Sequence, residues 1–134
     1  MTIREGGCFC GAVRYRIEGE PTSANHCHCR MCQRSAGAPV VTWVTAPTDR
    51  VKFVKGAPRL FESSARAKRG YCADCGTQLT FHSKEFPDEV DLTAASLDDP
   101  NSVTPADHSW TVSRLAWMIP GDTLPTHRRS RREG

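Results

Sequence analysis

Seven cysteines in a chain of 134 residues are the feature that most limits how this sequence can fold. All seven lie in C-x-C or C-x-x-C spacings, their number is odd, and the opening residues contain no apolar secretory segment. A disulfide framework would need an even set in an oxidising compartment, so the spacings favour metal binding. The cysteines form three groups: Cys8 and Cys10; Cys27, Cys29 and Cys32; Cys72 and Cys75.

The third group lies in the motif Cys72-Ala73-Asp74-Cys75-Gly76, which is the signature of a zinc knuckle. Its two-residue spacer lets a tight turn direct both sulfurs to one point, and the glycine gives the backbone freedom to turn. A structural zinc takes four ligands, so a second pair must come from elsewhere in the chain. We therefore expect one structural Zn²⁺ on Cys8, Cys10, Cys72 and Cys75.

The central group is then one ligand short of a closed site. Three thiolates within six residues can bind a second Zn²⁺ from a single loop, and a zinc with three protein ligands keeps a position open for water or substrate. A histidine is the alternative fourth ligand, although residues next to a ligand direct their side chains away from the same metal. The candidate histidines are His26, His28, His82, His108 and His127.

Apolar residues alternate along most of the chain rather than recurring at helical spacing, and turn residues separate the apolar runs. This pattern predicts a mainly β fold of antiparallel sheets. Only residues 32–36 and 63–68 have the composition of a helical turn. The predicted strands lie at residues 13–17, 40–44, 51–54, 79–81, 90–94 and 115–118.

The formal net charge of +3 belongs to the last eight residues, because residues 127–134 contain four arginines and one glutamate. We expect one zinc domain over residues 1–126 and a basic, disordered tail over residues 127–134. Since the domain itself is balanced in charge, nucleic acid is not an expected partner. No segment has the length of apolar sequence that a membrane span requires, and we expect a cytoplasmic protein without a membrane partner.

Three residues in or near the motifs are candidate substrate contacts. Arg34 and Arg69 could bind the carboxylate of an anionic substrate, or they could offset the charge of the thiolates. Trp110 could form a wall of a substrate pocket or belong to the core.

Five segments resemble, in order, successive blocks of the glutathione-dependent formaldehyde-activating enzyme family, which includes centromere protein V. They are GGCFCGAVRY, HCHCRMCQRSAGAP, RGYCADCGTQL, LTAASLDDP and HSWTVSRLAW, and together they span about residues 6–125. The resemblance implies the Mss4-like fold, which is mainly β. It also implies a structural zinc on the four-cysteine set and a catalytic zinc on Cys27, Cys29 and Cys32.

The activity that this resemblance implies is the addition of a thiol to formaldehyde, which in reverse is a carbon–sulfur lyase reaction. We therefore expect a lyase or thiol-adduct synthase whose partners are a small thiol, such as glutathione, and an aldehyde or a thiol adduct. One alternative is a non-catalytic interaction module, in which a histidine closes the second zinc site. Another is a thiol redox sensor, in which oxidation of the central cysteines releases zinc.

Overall fold

The computed structural model describes the backbone of residues 1–133 and the side chains of residues 1–132. The regular structure consists mainly of ten strands, with one α-helix and several short 3₁₀ turns, and the mainly β prediction is confirmed. The strands are β1 (Ile3–Gly7), β2 (Arg14–Glu18), β3 (Ser23–Cys27), β4 (Val41–Pro47), β5 (Val51–Lys55), β6 (Arg59–Ser64), β7 (Ala67–Tyr71), β8 (Gln78–Ser83), β9 (Glu89–Thr93) and β10 (His108–Ser109), and helix α1 spans Arg30–Ala36.

The strands form two sheets. A small sheet has the order β1-β2-β5, and a large sheet has the order β10-β3-β4-β9-β8-β7-β6. Neighbouring strands are antiparallel throughout the described residues, except that the two-residue strand β10 pairs with β3 in parallel. Strand β3 therefore lies between β10 and β4, and it ends at Cys27.

The core forms where the small sheet packs on the large one. In β2 the side chains of Tyr15 and Ile17 are fully buried, as the alternating pattern predicts, and each contributes about 2 kcal/mol of hydrophobic stabilisation. They belong to one cluster with Val44 and Leu92 of the large sheet. The Tyr15 hydroxyl also hydrogen-bonds with Ser96 Oγ at 2.7 Å, so the two layers are joined by a polar contact as well.

Two local predictions are wrong. Residues 115–118 form a turn rather than a strand, in which the Met118 N–H donates to the Leu115 carbonyl at 2.9 Å. The apolar run there does not reflect burial, since Trp117 is 72% exposed. Residues 63–68 form the hairpin between β6 and β7 rather than a helical turn. The helical turn predicted at residues 32–36 is confirmed as part of α1.

The sequence predicts a disordered tail from residue 127, whereas the structure gives this segment contacts with the sheets. His127 Nε2 lies 3.2 Å from a carboxylate oxygen of Asp107, and Arg132 donates to Glu89 at 2.5 Å. The domain boundary at residue 126 stays a prediction, and Gly134 lies outside the described residues. In the described part of the chain, no helix has both the length and the apolar character needed to cross a bilayer.

Candidate metal centre

Four cysteine sulfurs meet where a turn of the small sheet approaches a turn of the large sheet. Cys8 and Cys10 lie between β1 and β2, while Cys72 and Cys75 lie between β7 and β8. Their Sγ atoms all lie within 4.8 Å of one another, so this four-cysteine group could hold a metal ion. The structure thus brings together the four residues predicted for a structural site.

Both turns close with a backbone hydrogen bond to the first cysteine and have a glycine of positive φ after the second cysteine. The Gly76 N–H donates to the Cys72 carbonyl at 2.8 Å, and the Gly11 N–H donates to the Cys8 carbonyl at 3.2 Å. The φ angles of Gly76 and Gly11 are +79° and +82°, a left-handed conformation that glycine adopts without steric cost. Gly11 therefore has the role in the first turn that the knuckle motif predicts for Gly76 in the second.

The spacing of the sulfurs fits a tetrahedral Zn²⁺. With Zn–S bonds of about 2.3 Å, two sulfurs of such a site lie about 3.8 Å apart. Cys10 Sγ lies 3.6 Å from Cys8 Sγ and 3.8 Å from Cys72 Sγ. A hydrogen bond from the Thr77 hydroxyl, followed by backbone donors, lowers the pKa of Cys75 to about 5.

The second group, the three-cysteine group, lies in the segment that joins β3 to α1. Cys27 ends β3, Cys29 is the N-cap of α1, and Cys32 lies in the helix. The Cys32 N–H donates to Cys29 Sγ at 3.3 Å, and the sulfurs of Cys27 and Cys32 lie 3.6 Å apart. All three sulfurs lie within 4.8 Å of one another, so a single loop could hold a metal ion, as the spacing predicts.

Hydrogen bonds among these thiols make them unequal as acids. The bond from Cys27, and then that from Cys32, lowers the pKa of Cys29 to about 2. The bond to Cys29 is also the main reason that the pKa of Cys27 is raised. Cys29 is thus the first thiolate of the group.

Neither neighbouring histidine joins the three sulfurs. Side chains alternate along a strand, so His26 and Cys27 lie on opposite faces of β3. His26 Nδ1 lies 2.7 Å from Thr42 Oγ1, and His28 Nε2 lies 2.9 Å from His108 Nδ1. Among the described residues, the three-cysteine group contains no histidine and no carboxylate.

His28 is one end of a hydrogen-bonded chain that fixes this loop. The Asp122 carboxylate can only accept, so His108 donates to it from Nε2 at 3.1 Å and accepts from His28 at Nδ1. Atoms of His26, His108 and Asp122 also lie within 4.8 Å of one another. The rings of His26 and His108 are stacked at 4.7 Å with 27° between their planes, so their in-plane lone pairs do not converge on one ion.

Arg69 of β7 is buried and ends at the three-cysteine group. Its Nη1 and Nη2 groups both donate to Cys32 Sγ at 3.6 Å, and its guanidinium lies 4.9 Å from the centre of the Phe81 ring. A buried cation needs a compensating charge, which a thiolate supplies. Of the two roles that the sequence suggests for Arg69, this contact matches the offset of thiolate charge.

The three sulfurs line a cavity of about 270 Å³. This volume is slightly below the usual range of small-molecule pockets, which begins at about 300 Å³, so the cavity suits a small ligand. Aromatic side chains form much of its wall, and charged side chains lie in it as well. The aromatic residues are Trp43, Phe81, Phe86 and Trp110, and the charged ones besides Arg69 are Glu89, Asp91, Arg131 and Arg132.

Two of the three predicted substrate contacts lie in the cavity wall, and the third does not. Arg69 and Trp110 both line the cavity. Arg34 is exposed on α1 and is not among the residues of the cavity wall. Their roles in substrate binding stay predictions.

A profile of the family described as glutathione-dependent formaldehyde-activating enzyme matches residues 3–113 of this chain. The chain belongs to this family. A crystal structure of a Rhodobacter sphaeroides protein has the same fold, with a TM-score of 0.59 over 91% of this chain and 98% of that one, at 22% identity. The family named from the five sequence segments is therefore confirmed.

Two curated relatives are similar to this chain over part of their length. A Halomonas elongata protein, provisionally named a glutathione-dependent formaldehyde-activating enzyme, is 26% identical over 72% of this chain. An uncharacterised lyase of Schizosaccharomyces pombe is 29% identical over 60% of this chain. The matches cover 66% and 58% of those proteins, so this chain spans less than two thirds of their length.

Four charged residues of this family member's cavity were not predicted from the sequence: Glu89, Asp91, Arg131 and Arg132. The Thr45 hydroxyl donates to Asp91 at 2.5 Å, and burial raises the pKa of this carboxyl. A signal for Asp91 was present, because the buried residues Val90 and Leu92 on either side of it place it on the opposite face of β9. Arg131 gave no comparable signal, since it lies in a run of basic residues that is typical of a solvated terminus.

Proposed function

We propose that this chain is a zinc-dependent carbon–sulfur lyase or thiol-adduct synthase of the formaldehyde-activating type. Its cofactors would be two Zn²⁺ ions, one structural at the four-cysteine group and one catalytic at the three-cysteine group. A small thiol, glutathione or another, would bind at the second. One observation carries the proposal: three sulfurs converge at a cavity wall, and no described histidine or carboxylate completes the set.

The reaction joins a thiol to an aldehyde such as formaldehyde. Zinc bound by three cysteines would supply an open position at which a substrate thiol loses its proton and remains nucleophilic. The thiolate sulfur attacks the carbonyl carbon, a carbon–sulfur bond forms, and the carbonyl π electrons move to the oxygen. That oxygen then takes a proton, which gives the S-hydroxymethyl adduct. The lyase direction breaks the same bond and returns the thiol and the aldehyde.

The chain's own residues would hold the reactants in a partly dry space. Trp43 and Phe81 line the cavity with their ring centres 6.1 Å apart, and they exclude water from the sulfurs. Arg69 offsets the negative charge of Cys32, which makes a fourth thiolate less costly to bring in. Exclusion of water strengthens each of these charge interactions.

The printed names of the two relatives agree with this chemistry, since one refers to formaldehyde activation and the other to a lyase. The alternative of a histidine-closed interaction module has less support, because His26 and His28 hydrogen-bond on the other side of β3. The redox alternative rests only on the short distance between Cys27 and Cys32.

The test uses cobalt in place of zinc. A small thiol should shift the sulfur-to-cobalt charge-transfer band of the wild-type protein, and the zinc form should accelerate formation of the hydroxymethyl adduct, measured by carbon-13 NMR. Cys29→Ser should lose both effects, whereas Met31→Leu, a change at an exposed position on the same helix, should retain both. A charge-transfer band that no thiol changes would contradict the proposal.

A further inference from the structure

One wall of the cavity is built by a segment that the family profile does not include. The profile ends at residue 113, whereas Ser130, Arg131 and Arg132 line the cavity together with the three cysteines. This wall is therefore an addition to the part of the chain that identifies the family. Its chemistry can bear on which substrate this particular chain accepts.

Backbone hydrogen bonds fix the segment in place. The Trp110 N–H donates to the Arg129 carbonyl at 2.9 Å, and the Thr111 N–H donates to the His127 carbonyl at 3.1 Å. Strand β10 also forms a parallel bridge to Thr126. The segment is thus held along several consecutive residues rather than by one side chain.

The two arginines of this wall have different surroundings. Arg132 forms an ion pair with Glu89 at 2.5 Å, and its guanidinium lies 3.8 Å from the centre of the Phe86 ring. Arg131 is half-buried, and its hydrogen bond to a described side chain is a long one, 3.4 Å from Nη2 to Thr45 Oγ1. Arg132 therefore anchors the segment, while most donors of the Arg131 guanidinium remain available to a ligand in the cavity.

Asp91 is linked to this arginine through Thr45. Its carboxyl accepts from the Thr45 hydroxyl, and burial raises its pKa, although the charge of Arg131 acts in the opposite direction. The half-buried Arg131 guanidinium lines the cavity with most of its donors free of described side-chain partners, so this end of the cavity is suited to an anion.

The register of the large sheet gives the spacing between the strands that carry Asp91 and Arg69. Asp91 lies opposite Phe81 on the neighbouring strand, and Phe81 lies opposite Arg69, whose guanidinium contacts Cys32. Two strand spacings separate Asp91 from Arg69, which is about 10 Å between Cα atoms. A thiol that carries an anionic group several bonds from its sulfur matches this spacing and the shared cavity.

We propose that Arg131 binds a carboxylate of the substrate and makes this chain selective for small thiols that carry one. This inference rests on the proposed function, because it takes the three-cysteine group as the place where the thiol binds. A guanidinium binds a carboxylate through two parallel N–H donors, which gives direction as well as charge. The small cavity limits the size of the rest of the substrate.

The test compares two thiols that differ only in charge, mercaptobutanoate and its primary amide mercaptobutanamide. Binding to the zinc-loaded protein is measured by isothermal titration calorimetry, and turnover with formaldehyde gives a second measurement. Wild type should bind the acid about 10-fold more tightly than the amide, the factor expected for a charged hydrogen-bonded pair. Arg131→Gln should remove this preference by weakening the acid alone, with KM raised and kcat nearly unchanged.

Arg129→Gln is the matched control, since Arg129 is an exposed arginine of the same segment and does not line the cavity. It should retain the wild-type preference, and Arg131→Lys should recover part of it. Equal binding of the acid and the amide by wild type, or an unchanged preference in Arg131→Gln, would overturn the inference and leave the proposed function standing. If neither thiol binds, both fail together.

Discussion

Among the described residues, Trp110 is the one non-glycine residue whose backbone lies in the left-handed region, with a φ of +57°. This conformation costs a residue with a side chain about 1–2 kcal/mol. Trp110 lines the cavity beside the three-cysteine group, and its backbone N–H donates to the Arg129 carbonyl of the arginine-bearing segment. The strained backbone of Trp110 thus lies where the cavity wall contacts the arginine-bearing segment.

Two variants of Trp110 separate the side chain from the backbone. Trp110→Ala and Trp110→Gly both remove the indole, but only glycine also relieves the left-handed strain. We expect the glycine variant to be about 1 kcal/mol more stable than the alanine variant in urea unfolding. Both should bind thiols more weakly than wild type in calorimetry. An alanine variant as stable as the glycine variant would show that the backbone is unstrained.

The pair Arg14–Asp98 predicts a dependence of stability on pH. The guanidinium donates to both carboxylate oxygens, at 2.8 and 2.5 Å, and these bonds lower the pKa of Asp98 in the folded protein. A lowered pKa adds stability above the unfolded value of about 3.9, and this stability is lost as the pH falls through the folded value. Because the pair is exposed, the contribution is at most about 1 kcal/mol.

We therefore expect Asp98→Asn to reduce the free energy of unfolding by up to about 1 kcal/mol at pH 7, and by progressively less below about pH 4. Urea unfolding across that range measures the difference. Asp88→Asn, at an exposed position, is the control and should change little. A loss in Asp98→Asn that is constant down to pH 3 would rule out this ion pair as its cause.

Metal ligands and cavity residues differ in how far the sequence predicts them. The cysteine groups were found from spacing because residues such as Cys27 and Cys32 are brought together by a few residues of local chain. Arg69 was found because it is close in sequence to Cys72, although its contact is with Cys32, 37 residues away. Arg131 was missed because its position depends on docking of a whole segment, which no local pattern encodes.

At the scale of elements, the two knuckle turns depend on glycines that can be tested without steric interference. A Cβ at Gly76 would have no atom within 4 Å, so the cost of Gly76→Ala comes from its φ of +79° alone. We expect a loss of about 1 kcal/mol in stability. A chelator should also remove the metal of the four-cysteine group more readily from this variant.

Gly121→Ala is the control for that substitution. A Cβ there also meets nothing within 4 Å, and Gly121 is not among the glycines with positive φ. This variant should be as stable as wild type or slightly more stable, because alanine reduces the entropy of the unfolded chain. Equal losses in the two variants would show that the turn conformation is not the cause.

Strands were predicted well where burial produces alternation and poorly where it does not. Strand β2 alternates because one face packs into the core, and β9 is similar. Strand β3, Ser23–Cys27, is mostly polar and was missed, since its neighbours in the sheet rather than its composition make it a strand. The apolar run at 115–118 gave the opposite error, because no described strand pairs with it.

For the whole molecule, the proposed function gives the two cysteine groups separable roles. The four-cysteine group joins the turn of the small sheet to the turn of the large one, so a metal there links the two layers of the fold. The three-cysteine group lies within one short segment between β3 and α1. Loss of the first metal should therefore affect global stability, and loss of the second should affect mainly thiol chemistry.

Matched cysteine variants test this separation. Cys72→Ser should lose one zinc and several kcal/mol of stability, seen as a large fall in Tm and in metal content. Cys29→Ser should retain a Tm near that of wild type while losing thiol binding. Similar Tm values for the two variants would contradict separate roles for the two groups.

This separation also bears on how such a protein can change over many generations. Because the residues that would secure the fold are not those that would meet the thiol, mutations can alter or abolish the chemistry while the scaffold persists. The arginine-bearing segment extends that freedom, since its contacts with β10 position a specificity residue from outside the region that defines the family. Descendants of one ancestor can thus diverge in substrate, or become inactive binders, without passing through an unfolded form.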